Sequence, residues 1–312
     1  MRSLRFEDSS AQTFVERDVP QPRAGKGEVV VRIGAAGVTP TELAWYPTTH
    51  TKEGTTRVAP VLSHEFSGEI AEIGESVAGF SVGEPVYGMN DWFAEGALAE
   101  FCVTRPDWIA AKPQPLSYPE AASVPISALT AWQGLFGRAK LQKGERVLIH
   151  GGAGAVGVFA VQLAHWRGAH VISTASAWRA AFVRELGADE TIDYKTVAFE
   201  RRVRGVDVVF DTVGGETLQR SFGVLAPSGR AVTIAAQEES TEDERVKEAF
   251  LLVEPRRAEL EEIGELLGSG VMRAVVDRVV PWEEASDAYF GRIPRSGKGK
   301  VVVNVMQHGW QE

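Results

Sequence analysis

From residue 1 to about 120, apolar positions come in short runs that glycine and proline interrupt every few residues. The runs at 28–33, 65–73, 85–89 and 97–103 have the length and β-branched content of strands. No apolar stripe at helical spacing persists there, so the pattern predicts a partly open β-barrel. At Leu116-Ser117-Tyr118-Pro119-Glu120 the style changes. Ser117 with Glu120 three positions on is a capping-box signature, and it predicts a helix start.

Strand-like and helix-like stretches then alternate. Strands are expected at 147–150, 170–173, 191–193, 206–210, 231–235 and 250–253. Helical patterns fall between them: one after 150, one ending near Gly187, one at 199–204, one through Leu225, and a last from Arg256 to about Gly268. Such alternation means an α/β fold with a doubly wound parallel sheet. Beyond it, 274–280 and 300–305 are strand-like again and are expected to return to the first domain. The expected division is 1–121, 122–268 and 269–312. The acidic stretch 238–244 reads as a solvated, mobile loop.

The densest chemistry lies in 147–176, VLIHGGAGAVGVFAVQLAHWRGAHVISTAS. A β-branched run enters a turn where Gly152, Gly154 and Gly157 stand in G-x-G-x-x-G register, and a helical pattern begins near Ala155. One glycine permits the tight turn, the next lets a pyrophosphate approach the backbone, and the third lets helix and strand pack closely. Phosphates would sit on the free N–H groups at the helix start, around Ala153, Ala155 and Val156. A dinucleotide site is the reading; the bland alternative is a structural glycine turn.

The next strand should report which dinucleotide. An NAD site carries Asp or Glu about 20 residues past the glycines, to bind the ribose hydroxyls. Here that place holds Thr174, Ala175 and Ser176, with Arg179 just beyond. Ser176 can donate to a 2′-phosphate and Arg179 can pair with one, although Arg179 alone could be a solvated cation. NADP(H) is the expected cofactor.

Composition changes little but excludes much. The 312 residues are 44% hydrophobic and 24% charged, as in globular enzymes, with room for two domains. A formal charge of −9 argues against nucleic acid or anionic membrane as a partner. No apolar run approaches the ~20 residues of a bilayer span, and the start lacks a signal-peptide core. The single cysteine, Cys102, excludes an internal disulfide and a Cys-rich zinc lobe, and sits in a strand-like run as a buried small hydrophobe. A cytoplasmic protein is expected.

Landmarks along nearly the whole chain resemble a medium-chain dehydrogenase/reductase, in its zinc-free quinone oxidoreductase branch. They are Gly37-Val38-Thr39-Pro40-Thr41-Glu42, His64-Glu65-Phe66-Ser67-Gly68 leading to Val77, Phe80 and Gly83, Ala128-Leu129-Thr130-Ala131-Trp132, the glycine turn, Leu186-Gly187-Ala188-Asp189, Asp211-Thr212-Val213-Gly214-Gly215 and Gly299-Lys300-Val301-Val302. The resemblance implies a GroES-like substrate domain, a Rossmann domain and a cleft between them. Zinc-dependent members place Cys where Thr39 stands and another near Ile126, and use a His matching His64. Only His64 and Glu65 remain here, and two adjacent side chains cannot build a three-ligand catalytic site. No metal is expected, and His64 reads as a structural residue in the turn entering a strand.

Without a Lewis acid, a substrate that spreads incoming charge is favoured, so the expected reaction is hydride transfer from NADPH to a quinone or an α,β-unsaturated carbonyl. A low-turnover NADPH-binding protein, structural or redox-sensing, and a dehydrogenase of ordinary carbonyls or alcohols are the alternatives. By the resemblance, Thr39 and Thr130 face the nicotinamide end, or are capping or packing residues. Tyr46 could donate its phenol proton to a substrate carbonyl or pack in the pocket wall, where Trp45 and Trp92 are further candidates. Tyr194 matches a position against the 2′-phosphate, and Val213 and Gly214 one under the adenine or ribose. Ala235, Ala236, Phe250 and Leu252 end or form the last strands and are expected near the nicotinamide. Lys298 and Lys300 could reach phosphate or be surface cations, the latter reading preferred for Lys300. Similar proteins pair as homodimers through the edge strand, here 250–253.

Overall fold

In a computed structural model, which describes residues 1–8, 12–235 and 242–306, the chain divides into two units. Residues 1–126, 255–296 and the chain from Lys300 form the first; 127–254 and 297–299 form the second. The N-terminal strands are β1 (Arg2–Asp8), β2 (Thr13–Asp18), β3 (Val29–Gly37), β4 (Glu65–Ile73), β5 (Pro85–Met89), β6 (Phe101–Thr104) and β7 (Ile109–Ala111). The second unit holds β8 (Arg146–His150), β9 (His170–Ala175), β10 (Glu190–Asp193), β11 (Val206–Asp211) and β12 (Leu225–Thr233). β13 (Val276–Val280) and β14 (Lys300–Asn304) belong to the first again.

In the first unit, β1 and β2 pair antiparallel, and a seven-stranded sheet runs β13–β14–β3–β4–β5–β7 with β6 on β3. Three strands flank β3, so eight of its nine residues are buried, and its sequence is apolar without alternation except at Arg32, the one residue that is not buried. Val31, Ile33, Phe66, Ile70, Val86, Val301 and Val303 form one core. The run expected at 97–103 is a strand only over Phe101–Thr104. Ala97, Leu98 and Ala99 are buried as their apolarity demands, but the Ala97 and Leu98 amides bond singly to Ser63 and Leu62 carbonyls instead of entering a ladder.

The capping box forms: the Ser117 hydroxyl accepts the Glu120 amide, Glu120 accepts the Ser117 amide, and the helix Tyr118–Ala122 follows. The helix Arg257–Gly268 groups with the first unit, whereas the expected boundary at 268 put it in the second. It buries Leu260, Ile263 and Leu267 there, and the Tyr87 hydroxyl donates to the Leu260 carbonyl at 2.6 Å.

The second unit is an all-parallel sheet in the order β10–β9–β8–β11–β12. Residues 250–253, expected as the edge strand, make one isolated bridge from Phe250 to Thr233. The chain reaches that bridge directly from the helix Glu244–Ala249, and farther on the Gln133 side chain takes both the Glu254 amide (3.1 Å) and carbonyl (2.8 Å). A side chain thus stands where a ladder would continue. The helical pattern at 199–204 is a single 3-10 turn, Phe199–Arg201. Residues 238–241 of the acidic stretch lie outside the described residues, and Asp243 caps the helix Glu244–Ala249 by accepting the Arg245 amide.

Candidate functional site

The glycine turn leaves β8 at His150 and enters the helix Gly157–Trp166, two residues later than expected. Gly157 is required by the protein's own packing: a β-carbon there would lie 2.1 Å from the Gly151 carbonyl oxygen. Gly154 is different, because its β-carbon would meet only that same oxygen, at 3.3 Å. The open side at Gly154 is where a ligand backbone or phosphate can close on the turn.

Beside the turn, at the carboxyl ends of β8, β9 and β11, lies a cavity of about 380 Å³. It brings together seven sequence candidates, Ala153, Gly154, Thr174, Ser176, Arg179, Tyr194 and Val213. The lining holds two cations, Arg179 and Arg220, and no carboxylate. Ser176 is 2% exposed, and its buried hydroxyl has no hydrogen-bond partner among the described residues. A buried orphan donor beside a guanidinium suits an anionic ligand. These observations fit a dinucleotide whose phosphates lie on the turn and whose ribose end reaches Ser176 and Arg179.

His150 also lines the cavity, and sequence reasoning passed it over. The Ser221 hydroxyl donates to the Thr217 carbonyl at 2.6 Å, so His150 Nε2 donates to Ser221 Oγ at 2.9 Å. Thr174 Oγ1 accepts the Gly151 amide and donates to His150 Nδ1, both at 3.2 Å. This chain of bonds selects the neutral imidazole with its proton on Nε2. Burial, with Arg220 adding to it, pulls the His150 pKa down to about 4. The position of His150 at a strand's carboxyl end was a usable signal; Phe199, Thr217 and Arg220, which also line the cavity, carried none.

The other candidates scatter around the turn. Gly214 caps the helix Gly215–Ser221, and its amide and that of Val213 donate to the buried Asp211 carboxylate at 2.8 and 3.1 Å. Gly152 packs on Ser173, while Ala155 and Val156 precede the helix. The segment 297–299 crosses the turn: the Gly299 amide donates to the Ala153 carbonyl at 2.9 Å, and Lys298 Nζ stands 4.9 Å from the Phe182 ring centroid. Thr130 and Ala235 are buried, Phe250 makes the bridge to Thr233 of β12, Leu252 stands exposed two residues on, and Ala236 lies outside the described residues.

A second cluster lies in the first unit. Glu65, fully buried at the start of β4, pairs with the ammonium of Lys300 at the start of β14. Lys300 is 4% exposed, which corrects its reading as a surface cation. Its Nζ also donates to Thr39 Oγ1 at 3.1 Å, and the Ile126 amide donates to the other Glu65 oxygen at 3.0 Å. Thr39 Oγ1 lies 3.3 Å from the first Glu65 oxygen and is half-buried. Burial pushes the Glu65 carboxyl above its ordinary range, while Lys300 and the Ile126 amide pull the other way. Gly37 makes the space, since a β-carbon there would lie 2.5 Å from the Glu65 side chain.

Next to it, His64 Nδ1 lies 3.0 Å from Glu42 and Nε2 donates to the Ala94 carbonyl at 3.1 Å, so neither ring nitrogen is free to ligate. Trp92 packs on His64 and Trp45 on Trp92, with ring centroids 5.2 and 4.3 Å apart. Tyr46 is 52% exposed and stacks on His50 at 4.3 Å. Among the described residues, no group of three His, Cys, Asp or Glu is placed to hold a metal. Thr39 and Glu65 hold the Lys300 ammonium between them instead, and the Ile126 amide is bonded to the other Glu65 oxygen, so this donor set does not fit a zinc ion.

Two family descriptions match the chain: "Alcohol dehydrogenase GroES-like domain" at residues 25–114 and "Zinc-binding dehydrogenase" at 186–303. The chain is 31% identical to the "Probable zinc-binding oxidoreductase, mitochondrial" of Arthroderma benhamiae, over 94% of this chain and 93% of that one. Among solved structures it is similar to the quinone oxidoreductase from Coxiella burnetii, with a TM-score of 0.87 at 29% identity over 98% of this chain and 99% of that one. It is also similar to the CurK enoyl reductase, with a TM-score of 0.84 at 29% identity over 97% and 98%.

Proposed function

Because the chain belongs to the medium-chain dehydrogenase/reductase superfamily, in its quinone oxidoreductase branch, we propose that it is an NADPH-dependent, metal-independent reductase of quinones or α,β-unsaturated carbonyls. The observation that carries the cofactor choice is the acid-free cavity with Arg179 and the orphan Ser176 hydroxyl. Ser176 donates to the 2′-phosphate, Arg179 pairs with it, and Tyr194 covers it from the exposed side. An Asp at the end of β9 would repel that phosphate; Thr174-Ala175-Ser176 stands there instead.

Bound NADPH supplies a hydride. A conjugated acceptor spreads the resulting charge through its π-system and onto oxygen, so it asks less of the protein than a simple ketone does. Quinone oxidoreductase and enoyl reductase relatives act on acceptors of that kind by name, which supports the class. The Lys300 ammonium between Thr39 and Glu65 supports metal independence against the "zinc-binding" wording of the matched family and relative.

No helix among the described residues is long and apolar enough to cross a membrane. We place the enzyme in the cytoplasm from its charge and composition, against relatives of which four are mitochondrial by name. The proposed homodimer pairs through the edge of β12, in place of the expected strand at 250–253.

The test follows nicotinamide absorbance with NADPH or NADH and a panel of quinones, 2-alkenals and saturated ketones. NADPH oxidation with the quinones or alkenals, and little with ketones, is expected. Turnover of ketones alone overturns the substrate class, and no turnover with any acceptor favours a low-turnover binding protein.

A further inference from the structure

The cofactor cavity has a second cation in its wall, Arg220, which the 2′-phosphate contact does not use. It stands on the helix Gly215–Ser221, within the second unit like the rest of the cavity. Its Nη1 donates to both oxygens of the Glu200 carboxylate, at 3.0 and 3.2 Å, and its Nε donates to the Glu216 carbonyl at 3.3 Å. The guanidinium carbon lies 5.1 Å from the centroid of the Phe199 ring. That ring is 3% exposed and packs edge-on against His150, with centroids 4.6 Å apart. Three contacts therefore fix the guanidinium, yet the Arg220 side chain keeps 45% of its surface exposed.

Glu200 decides what such a group can bind. Its own backbone amide and the Arg220 guanidinium hold the Glu200 carboxyl below its ordinary range, so the pair is charged at neutral pH. A phosphate approaching Arg220 would meet that carboxylate too, and the repulsion offsets the attraction. What Arg220 still offers is a flat, weakly hydrated cation beside an aromatic wall, a surface on which a planar π-system stacks. The turn suits the pyrophosphate, and Ser176 with Arg179 suits the 2′-phosphate. The planar group left in a dinucleotide's adenosine half is the adenine.

We propose that the Arg220 guanidinium is the platform on which adenine stacks, and that Glu200 fixes it there and keeps it from serving as a second phosphate cation. The inference rests on the dinucleotide reading and deepens it. Arg179 then discriminates NADPH from NADH, Arg220 gives affinity common to both, and Glu200 is a positioning residue that keeps the two roles apart.

The test is binding, without turnover. Nicotinamide fluorescence reads NADPH and NADH, and calorimetry reads ADP and reduced nicotinamide mononucleotide, which lacks adenine. Arg220→Leu alone would leave the Glu200 carboxylate unpaired beside the cavity, so the variant is Arg220→Leu/Glu200→Gln, with its fold checked by circular dichroism. It should bind NADPH, NADH and ADP less tightly by one common factor, roughly 3- to 30-fold. Its affinity for the mononucleotide should match that of wild type. Glu200→Gln alone frees the guanidinium and should raise the preference for NADPH over NADH several-fold.

A loss confined to NADPH assigns Arg220 to the phosphate and overturns the inference, as does undiminished affinity for all three adenine ligands. An unchanged cofactor preference in Glu200→Gln overturns the part given to Glu200. Failure of wild type to bind either dinucleotide overturns the dinucleotide reading instead. ADP then decides the platform by itself: bound by wild type and weakened in the paired variant, it upholds Arg220; otherwise it removes it.

Discussion

Gly297 leaves the Arg179 guanidinium its place: a β-carbon built on Gly297 would stand 1.8 Å from Arg179 Nη2. The glycine also holds φ +64°, a backbone that side-chained residues rarely adopt. The Arg179 guanidinium also lies over the Trp178 ring, 4.2 Å from the centroid. A segment remote in sequence therefore shapes the cationic wall of the cofactor cavity. Gly297→Ala is expected to displace the guanidinium and raise KM for NADPH while leaving KM for NADH nearly unchanged.

The same wall makes a direct prediction. Arg179→Ala removes a charge-assisted bond worth about 1.5–3 kcal/mol, which corresponds to roughly a 10- to 100-fold loss of NADPH affinity. Ser176→Ala should act in the same direction and by less. Fluorescence titration with NADPH and NADH measures both, and an equal loss for the two cofactors would contradict a 2′-phosphate contact.

Two glycines of one turn should behave oppositely. Gly157→Ala drives a β-carbon into the Gly151 carbonyl and is expected to cost about 1–3 kcal/mol of stability. Gly154→Ala meets only a 3.3 Å contact, so it should fold almost normally and lose cofactor affinity. Thermal unfolding with and without NADPH separates the two cases.

His150 gives a pH signature of stability. Its folded pKa of about 4 lies below its ordinary value of 6.5, so between those values the unfolded chain binds more protons than the folded one. Stability from this residue is fully present above pH 6.5, falls as pH drops through the window, and is flat below 4. The total is on the order of 3 kcal/mol. Denaturant unfolding across pH 4–7 should show this slope, and His150→Asn should flatten it.

Cys102 should be silent until the protein opens. It is buried in β6, and burial pushes its thiol well above the ordinary range. A thiol reagent should label it at the rate of unfolding, and fast labelling of the native protein would contradict its packing.

The sequence made the glycine turn, the capping box, β4 and β5 legible because each rests on local chemistry: φ freedom, cap hydrogen bonds and strand patterning. The edge strand expected at 250–253 shows the limit of pattern alone: it makes one bridge, from Phe250 to Thr233, and the next residue, Glu254, gives both backbone groups to the Gln133 side chain from far along the chain. β1 went unread although Leu4 and Phe6 alternate with charged neighbours, because the run is short and charge-rich. In the candidate site, Ser176 and Arg179 follow from spacing behind the glycines. Lys300 did not, because a lysine in a strand-like tail carries no mark of the buried carboxylate it will meet. His64 was readable as structural, but its Glu42 partner, 22 positions earlier, was not.

The central claim is hydride transfer to a conjugated acceptor without a metal, and one measurement addresses it most directly. The protein is dialysed against a strong chelator, its metal content is determined, and the initial rate of NADPH-dependent quinone and 2-alkenal reduction is compared before and after. An undiminished rate in metal-free protein is predicted. A rate that vanishes on chelation and returns with stoichiometric zinc would contradict the account.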